Sequence, residues 1–302
     1  MNMKFNSIPK LNLSDLLSGN KQSIRLLSEA LSDHGFFIIY NHKIDLQLFK
    51  KSYQISESFF NLDDDLKTQY AFPENAGARG YTPFAKETAL GETQPDLKEF
   101  WHHGPVINKN FDNRVKKNIQ IAELEEFNKI LDELFHQLNK VGIDLLSSIA
   151  LSLKLEKDYF FNWVEHGNSL LRLVHYPPVN NANIHRAREH ADINLITLLI
   201  GADEPGLEVK HKSGQWIPVT TDFDEIVCNI GDMMQLVTDH KLKSTSHRVI
   251  KYKNQEIKSR YSIPFFLHPS PNTILKSIYN NKDKGVLADD FLDERLKAIK
   301  LY

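Results

Sequence analysis

Thirteen histidines are scattered along the 302-residue chain, yet only one stands two residues before an acid, in His190-Ala191-Asp192. On a strand, residues i and i+2 point to the same face, so both side chains can meet one ion. A third ligand has to come from elsewhere. His247, in Ser246-His247-Arg248-Val249, is the best candidate, and His240, in the turn-prone Thr238-Asp239-His240, competes with it. Two imidazoles and one carboxylate on one side of an ion leave the opposite positions open, which is the non-haem Fe(II) arrangement. Zinc prefers four ligands and more often recruits thiolate or further histidine. Neither a His-x-His pair nor a His-Glu-x-x-His helix occurs, which argues against cupins and zinc proteases.

A second cluster follows thirteen residues after His247. Arg260 and Ser262 share a face by the same i, i+2 rule, and Phe266 falls on that face further along the strand. A guanidinium beside a hydroxyl makes a fork for a carboxylate. The segment 169–176 places Arg172, Val174 and Tyr176 on one face, where the tyrosine hydroxyl can donate to the same carboxylate.

These residues need a β scaffold, and the second half of the chain supplies one. From Ser169 onward, short apolar runs alternate with Gly, Pro or Asp, predicting strands at 169–176, 195–200, 206–211, 215–219, 226–230, 234–237, 246–252 and 260–267. The first half mixes helix and strand signals. Helices are expected at 14–17, 21–33 and 46–60, a buried strand at Phe36–Tyr40, and a long Gly- and Pro-rich loop over 73–95. Leu124, Phe127, Leu131, Leu134, Leu138, Val141 and Leu145 recur every three or four residues, predicting helix over 114–153 with an apolar core face. A short amphipathic helix is expected over 289–300.

Composition narrows the function classes. With 41% hydrophobic residues the chain is globular rather than disordered. Its 37 basic and 39 acidic residues leave no broad basic footprint for nucleic acid. No run of 18 apolar residues exists, and Met1–Asn6 lacks the apolar core of a signal peptide, so a cytoplasmic protein without membrane contact is expected. Cys228, the single cysteine, sits in an apolar run and reads as a buried, inert thiol.

With these segments in order, the sequence resembles the isopenicillin N synthase-like family of Fe(II)- and 2-oxoglutarate-dependent oxygenases from Ile8 to about Leu275. The likeness is carried by His34-Gly35-Phe36-Phe37 with Asn41-His42, Asp96-Leu97-Lys98-Glu99, Leu171-Arg172 with Tyr176-Pro177-Pro178, and His190-Ala191-Asp192. It continues through Pro205-Gly206-Leu207, Trp216-Ile217-Pro218, Asn229-Ile230-Gly231-Asp232, Ser246-His247-Arg248-Val249 and Arg260-Tyr261-Ser262. The resemblance implies that His190, Asp192 and His247 are iron ligands. It implies that Arg260 and Ser262 hold the distal carboxylate of 2-oxoglutarate with help from Tyr176, and that Phe266 lies on the substrate side. Where many plant members carry Asn-Tyr-Tyr-Pro, this chain has Val174-His175-Tyr176-Pro177, so the amide that would bond near the metal-bound end of the co-substrate is missing.

The fold so implied is mainly β with α, a distorted double-stranded β-helix (jelly roll) at 168–270. Around it stand an N-terminal α/β region at 1–110, supporting long helices at 111–167 and a C-terminal helical tail at 271–302 that covers the barrel mouth. The expected cofactors are Fe(II), 2-oxoglutarate as co-substrate and O₂. The expected activity is decarboxylation of 2-oxoglutarate to succinate and CO₂, coupled to hydroxylation, desaturation or cyclisation of a small molecule by a monomer. The alternatives are an oxidase that uses no 2-oxoglutarate, an ethylene- and succinate-forming enzyme, and an inactive binding module. Arg79, Tyr81, Phe84, Lys86, Phe100 and Trp101 are the candidate substrate contacts, with Arg79 suited to an anion.

Overall fold

The computed structural model describes residues 7–72, 77–88, 94–179, 185–201 and 204–298. The N-terminal leader reading, parts of the 73–95 loop and the last residues of the tail therefore lie outside the described residues.

The first half runs β1 (Lys10–Asn12), α1 (Leu13–Leu17), α2 (Lys21–Asp33), β2 (Phe36–Tyr40), α3 (Leu46–Phe60), α4 (Asp64–Thr68), β3 (Gly80–Thr82) and β4 (Glu99–His103). Two helices follow, α5 (Phe127–Ser152) and α6 (Phe161–Val164). Then come β5 (Leu170–Tyr176), β6 (His185–His190), β7 (Ile196–Ile200), β8 (Leu207–Lys210), β9 (Trp216–Pro218) and β10 (Ile226–Ile230). The chain ends with α7 (Asp232–Val237), β11 (His247–Ile250), β12 (Arg260–Leu267), β13 (Ile274–Leu275), β14 (Val286–Leu287) and α8 (Ala288–Ala298).

Local chemistry sets the boundaries. Asn20 accepts from the amides of Gln22 and Ser23 to start α2, and Asp45 accepts from Gln47 to start α3. Helix α2 stops at Gly35, whose φ of 65° and close approach to the carbonyl oxygen of Lys243 leave no room for a Cβ.

Eight strands pair in the order β1-β2-β10-β7-β12-β5-β4-β3, and four more as β6-β11-β8-β9. Period-two alternation gives the large sheet two different buried faces. Leu171 and Leu173 of β5, with Ile263, Phe265 and Leu267 of β12, face outward into the main core built around α5. There Phe135 meets Phe265 edge-on, ring centres 5.0 Å apart. The other face carries Arg172, Val174 and Tyr176 with Arg260, Ser262, Pro264 and Phe266, and it encloses a cavity against the smaller sheet. A second apolar cluster, including Phe36, Val174, Leu207, Val227 and Val249, lines that interior.

Three expectations need correction. Residues 234–237 belong to α7 rather than a strand. Helix α5 starts at Phe127, and the preceding segment passes along it without helical pairing: Asn128 donates to the carbonyl of Ile119 and accepts from the amide of Ile121. The segment 111–167 thus holds one long helix and not several. Helix α8 packs Leu296 against the second apolar cluster and contributes no residue to the cavity lining. It docks through the Arg114–Asp289 ion pair and against a separate small recess at His268 and Met233.

Candidate active site

Strands β6 and β11 are antiparallel neighbours, and their register sets His190 directly opposite His247. The two rings lie 4.4 Å apart. Asp192 is not on the strand: β6 ends at His190, and the chain turns inward to bring the Asp192 Oδ1 to 3.8 Å from the His247 Nε2. His190 and Asp192 therefore do not share a strand face as their spacing predicts; a strand end and a bend bring them together. One ligand atom from each of the three residues falls within 4.8 Å of the others.

Neighbouring groups aim these atoms. The Nδ1 of His190 donates to the carbonyl of Arg188 at 2.7 Å, and the Nδ1 of His247 lies 3.3 Å from the carbonyl of Thr245. Each ring is left with Nε2 toward the centre. The Asp192 Oδ2 accepts from the hydroxyl of Thr197 at 2.6 Å and from the amide of Asn229 at 2.8 Å, which leaves Oδ1 for a metal. Burial, reinforced by the facing His247, holds the pKa of His190 below its ordinary value, favouring the neutral ring that a metal ion would need. Burial alone would raise the Asp192 carboxyl, but His247, His190 and the two hydrogen bonds outweigh it and hold the group below its ordinary value.

At one end of the cavity Arg260 is buried, its Nε donating to the carbonyl of Glu204 and its guanidinium 5.2 Å from the Tyr176 ring centre. Its Nη1 has no hydrogen-bond partner among the described residues. Ser262 and Tyr176 line the same end. Leaving a buried guanidinium proton unpaired is costly, so the site is chemically suited to a carboxylate.

The other end carries Phe266 and Arg172, while Lys98, one residue before the Glu99–His175 rung, enters the cavity from the Tyr176 side. Lys98 pairs with Glu87 at 2.7 Å and Asp96 at 3.0 Å, while the Nη1 of Arg172 lies 3.3 Å from Glu87. The guanidinium of Arg172 stands between Phe100, at 4.2 Å, and Phe266, at 5.3 Å. Val174 lines the cavity between the two cationic ends.

Of the sequence candidates for substrate contact, Phe266 lies on the cavity wall and the others do not. Arg79 is buried elsewhere, bonded to the carbonyls of Lys116 and Ala78 and to the Asn168 side chain. Tyr81 donates to Glu99, Phe100 is packed behind Arg172, and Trp101 sits in the outer core; Phe84 and Lys86 are exposed. His240 is exposed in the turn after α7, away from the triad. Cys228 is buried, and burial pushes its thiol well above the ordinary range. Sequence reasoning missed Thr197, Asn229 and Lys98. The signal for the first two is a polar residue at the inward phase of an apolar strand, beside Leu199 in β7 and Val227 in β10.

Residues 167–269 match the 2OG-Fe(II) oxygenase superfamily, and residues 8–133 match the N-terminal domain of non-haem dioxygenases described from morphine synthesis. The chain is 32% identical to the 2-oxoglutarate-dependent dioxygenase citB of Monascus ruber, over 78% of this chain and 75% of that protein. The chain belongs to the 2OG-Fe(II) oxygenase superfamily. Among solved members, a 2OG-Fe(II) oxygenase family protein from Caulobacter crescentus aligns with a TM-score of 0.85 and 36% identity, covering 97% of this chain and 99% of that one. A full-length Neurospora crassa protein, crystallised in complex with alpha-KG, aligns with a TM-score of 0.86 and 27% identity over 99% and 98% of the two chains. As a 2OG-Fe(II) oxygenase with a jelly-roll core, the protein is a dioxygenase that uses Fe(II), 2-oxoglutarate and O₂. Among the described residues no helix is long and apolar enough to cross a membrane.

Proposed function

We propose that His190, Asp192 and His247 hold the ferrous ion, that Arg260 with Ser262 and Tyr176 binds the distal carboxylate of 2-oxoglutarate, and that a small organic substrate enters at the Phe266 end. The observation that carries this reading is the unpaired, buried Nη1 of Arg260 in the cavity that also holds the His-Asp-His triad. Bound there, iron supplies the oxidative decarboxylation of 2-oxoglutarate and the oxidation of the substrate. Arg260 fixes the direction in which the diacid lies, an orientation effect. The apolar walls, from Leu199 to Val249, limit water at the centre.

Arg172, beside Phe266, and Lys98, on the Tyr176 side, present hydrogen-bond donors to the cavity, with Glu87 and Asp96 neutralising them. We take the substrate to be a small molecule with a carbonyl or carboxylate oxygen for these donors and an apolar portion for Phe266. The site is complete within one chain, which supports a monomer, and a ferrous centre in a chain with one unpaired thiol suits the cytoplasm. An oxidase independent of 2-oxoglutarate gains no support from relatives named for that co-substrate.

The test is anaerobic addition of Fe(II) and then 2-oxoglutarate, watching for a visible charge-transfer band, followed by air and measurement of succinate. Wild type gives the band and succinate, and Asp192→Ala gives neither. Iron bound at unaltered stoichiometry by Asp192→Ala would overturn the ligand assignment.

A further inference from the structure

Behind the cavity wall, the reverse face of the β5–β12 pair carries a chain of polar side chains that the reaction does not itself require. His175 and Ser259 immediately precede Tyr176 and Arg260, which are themselves opposite one another in the ladder. The Oγ of Ser259 lies 2.9 Å from the Nε2 of His175, and the Nδ1 of His175 lies 2.7 Å from the Glu99 Oε1. A carboxylate can only accept, so Nδ1 donates. The Oε2 of Glu99 accepts from Lys67 at 3.0 Å and from the hydroxyl of Tyr81, so both carboxylate oxygens are engaged. Burial would raise the Glu99 carboxyl, but these donors outweigh it and hold the group below its ordinary value. The His175 ring lies flat on Tyr261, centres 4.9 Å apart at 14°, with Phe60 at 5.3 Å.

The placement matters because Arg260 is the first residue of β12. Strand ends fray, and the Arg260–Tyr176 pair is the last backbone rung before the chain leaves the sheet. The Ser259–His175 bond adds a side-chain rung one residue beyond it. Glu99 anchors that rung to β4, and Lys67 and Tyr81 tie Glu99 to α4 and β3. The order Ser-His-Glu is also that of a nucleophilic triad. None of the three lines the metal cavity, however, and His175 and Glu99 are buried, so a positioning role fits better than an acyl-transfer one.

We propose that Ser259, His175 and Glu99 are positioning residues for the 2-oxoglutarate clamp, pinning the open end of β12 so that the Arg260 guanidinium stays against Tyr176 and aimed into the cavity. The inference rests on Arg260 being the clamp. It is tested by anaerobic titration of 2-oxoglutarate into the Fe(II)-loaded full chain, with Kd read from the visible band and thermal unfolding measured alongside. Wild type is compared with Ser259→Ala, Ser259→Thr, His175→Phe and Arg260→Ala. Ser259→Ala should weaken 2-oxoglutarate about two- to tenfold, the scale of one hydrogen bond, at unchanged iron affinity. His175→Phe, which keeps the ring stack and deletes both bonds, should weaken it at least as much. Ser259→Thr should restore wild-type binding, and Arg260→Ala should lose the most. If Arg260→Ala weakens binding while Ser259→Ala and His175→Phe match wild type, or only lower the melting temperature, the positioning role is overturned. If Arg260→Ala itself binds normally, the clamp assignment falls instead. Should His175→Phe fail to fold, the half-buried Ser259 decides the matter.

Discussion

Thr197 donates its hydroxyl to the Oδ2 of Asp192 at 2.6 Å, and this bond selects which carboxylate oxygen can face the two imidazoles. Asn229 secures the same Oδ2 from β10, at 2.8 Å. Without them the carboxylate can rotate, so a one-oxygen ligand is no longer preorganised. Thr197→Val should therefore weaken Fe(II) about ten- to a hundredfold, and Asn229→Leu comparably, with circular dichroism unchanged. Thr197→Ser, which keeps the hydroxyl, should bind nearly as wild type. Fe(II) titration under anaerobic conditions checks this, and equal affinity in Thr197→Val would remove the orienting role.

Arg260 tests the co-substrate end. Its replacement by alanine leaves a buried carboxylate without its charged partner, a loss of about 1.5–3 kcal/mol per charge-assisted hydrogen bond. The KM for 2-oxoglutarate in Arg260→Ala should rise about ten- to a hundredfold, since about 1.4 kcal/mol is a factor of ten. Steady-state succinate release measures it. An unchanged KM would show that the diacid lies elsewhere.

Much of this site was legible in the sequence because its strands obey a period of two. Arg172, Val174 and Tyr176, and Arg260, Ser262 and Phe266, share the cavity face as their spacing predicts. The two histidines that meet across β6 and β11 were found by residue type and ordered motifs, not by spacing, since 57 residues separate them. What spacing could not reveal is the bend that carries Asp192 off β6, because that bend is held by tertiary contacts such as the amide of Asp232 donating to the Asp192 carbonyl. Arg79, Tyr81 and Phe100 illustrate the same limit. They sit on or beside short strands where periodicity does not tell the cavity face from the outer core. Helix α5 is shorter than its apolar stripe for a related reason: Leu124 continues the stripe, but Asn128 bonds the backbone of Ile119 and Ile121, which stay non-helical.

Arg79 looks like an anion receptor in sequence and is a structural residue in the fold. Its guanidinium satisfies two carbonyls and the Asn168 side chain, and it passes so close to Gly104 that a Cβ there would lie 2.1 Å from its Nη2. Burial lowers its pKa to about 10, so it stays charged at neutral pH. Arg79→Ala should cost about 2–4 kcal/mol by stranding those acceptors, and Gly104→Ala should destabilise through the clash. Urea midpoints should fall in both, while the KM for 2-oxoglutarate in the folded fraction stays at the wild-type value. A raised KM at unchanged stability would return Arg79 to the binding site.

His102 makes stability depend on acid. Its Nε2 accepts from the Nε of Arg172 at 2.6 Å, so protonation would set two donors against each other. Burial, then the Arg172 charge, holds its pKa well below the ordinary 6.5. Burial also lowers His42, whose ring bonds the Asp224 carbonyl and the Ile44 amide. In the unfolded chain both rings take up a proton as pH falls through about 6.5, and the folded protein resists doing so. The unfolded state then binds more protons, so stability falls on acidification below about 6.5 and is independent of these groups above it. Urea midpoints of the metal-free protein should be level from pH 7 to 8 and drop steadily toward pH 5. His102→Gln can still accept from Arg172 but does not titrate, so its midpoint should fall less over the same interval. A parallel decline in wild type and His102→Gln would show that the acid sensitivity originates at other buried groups.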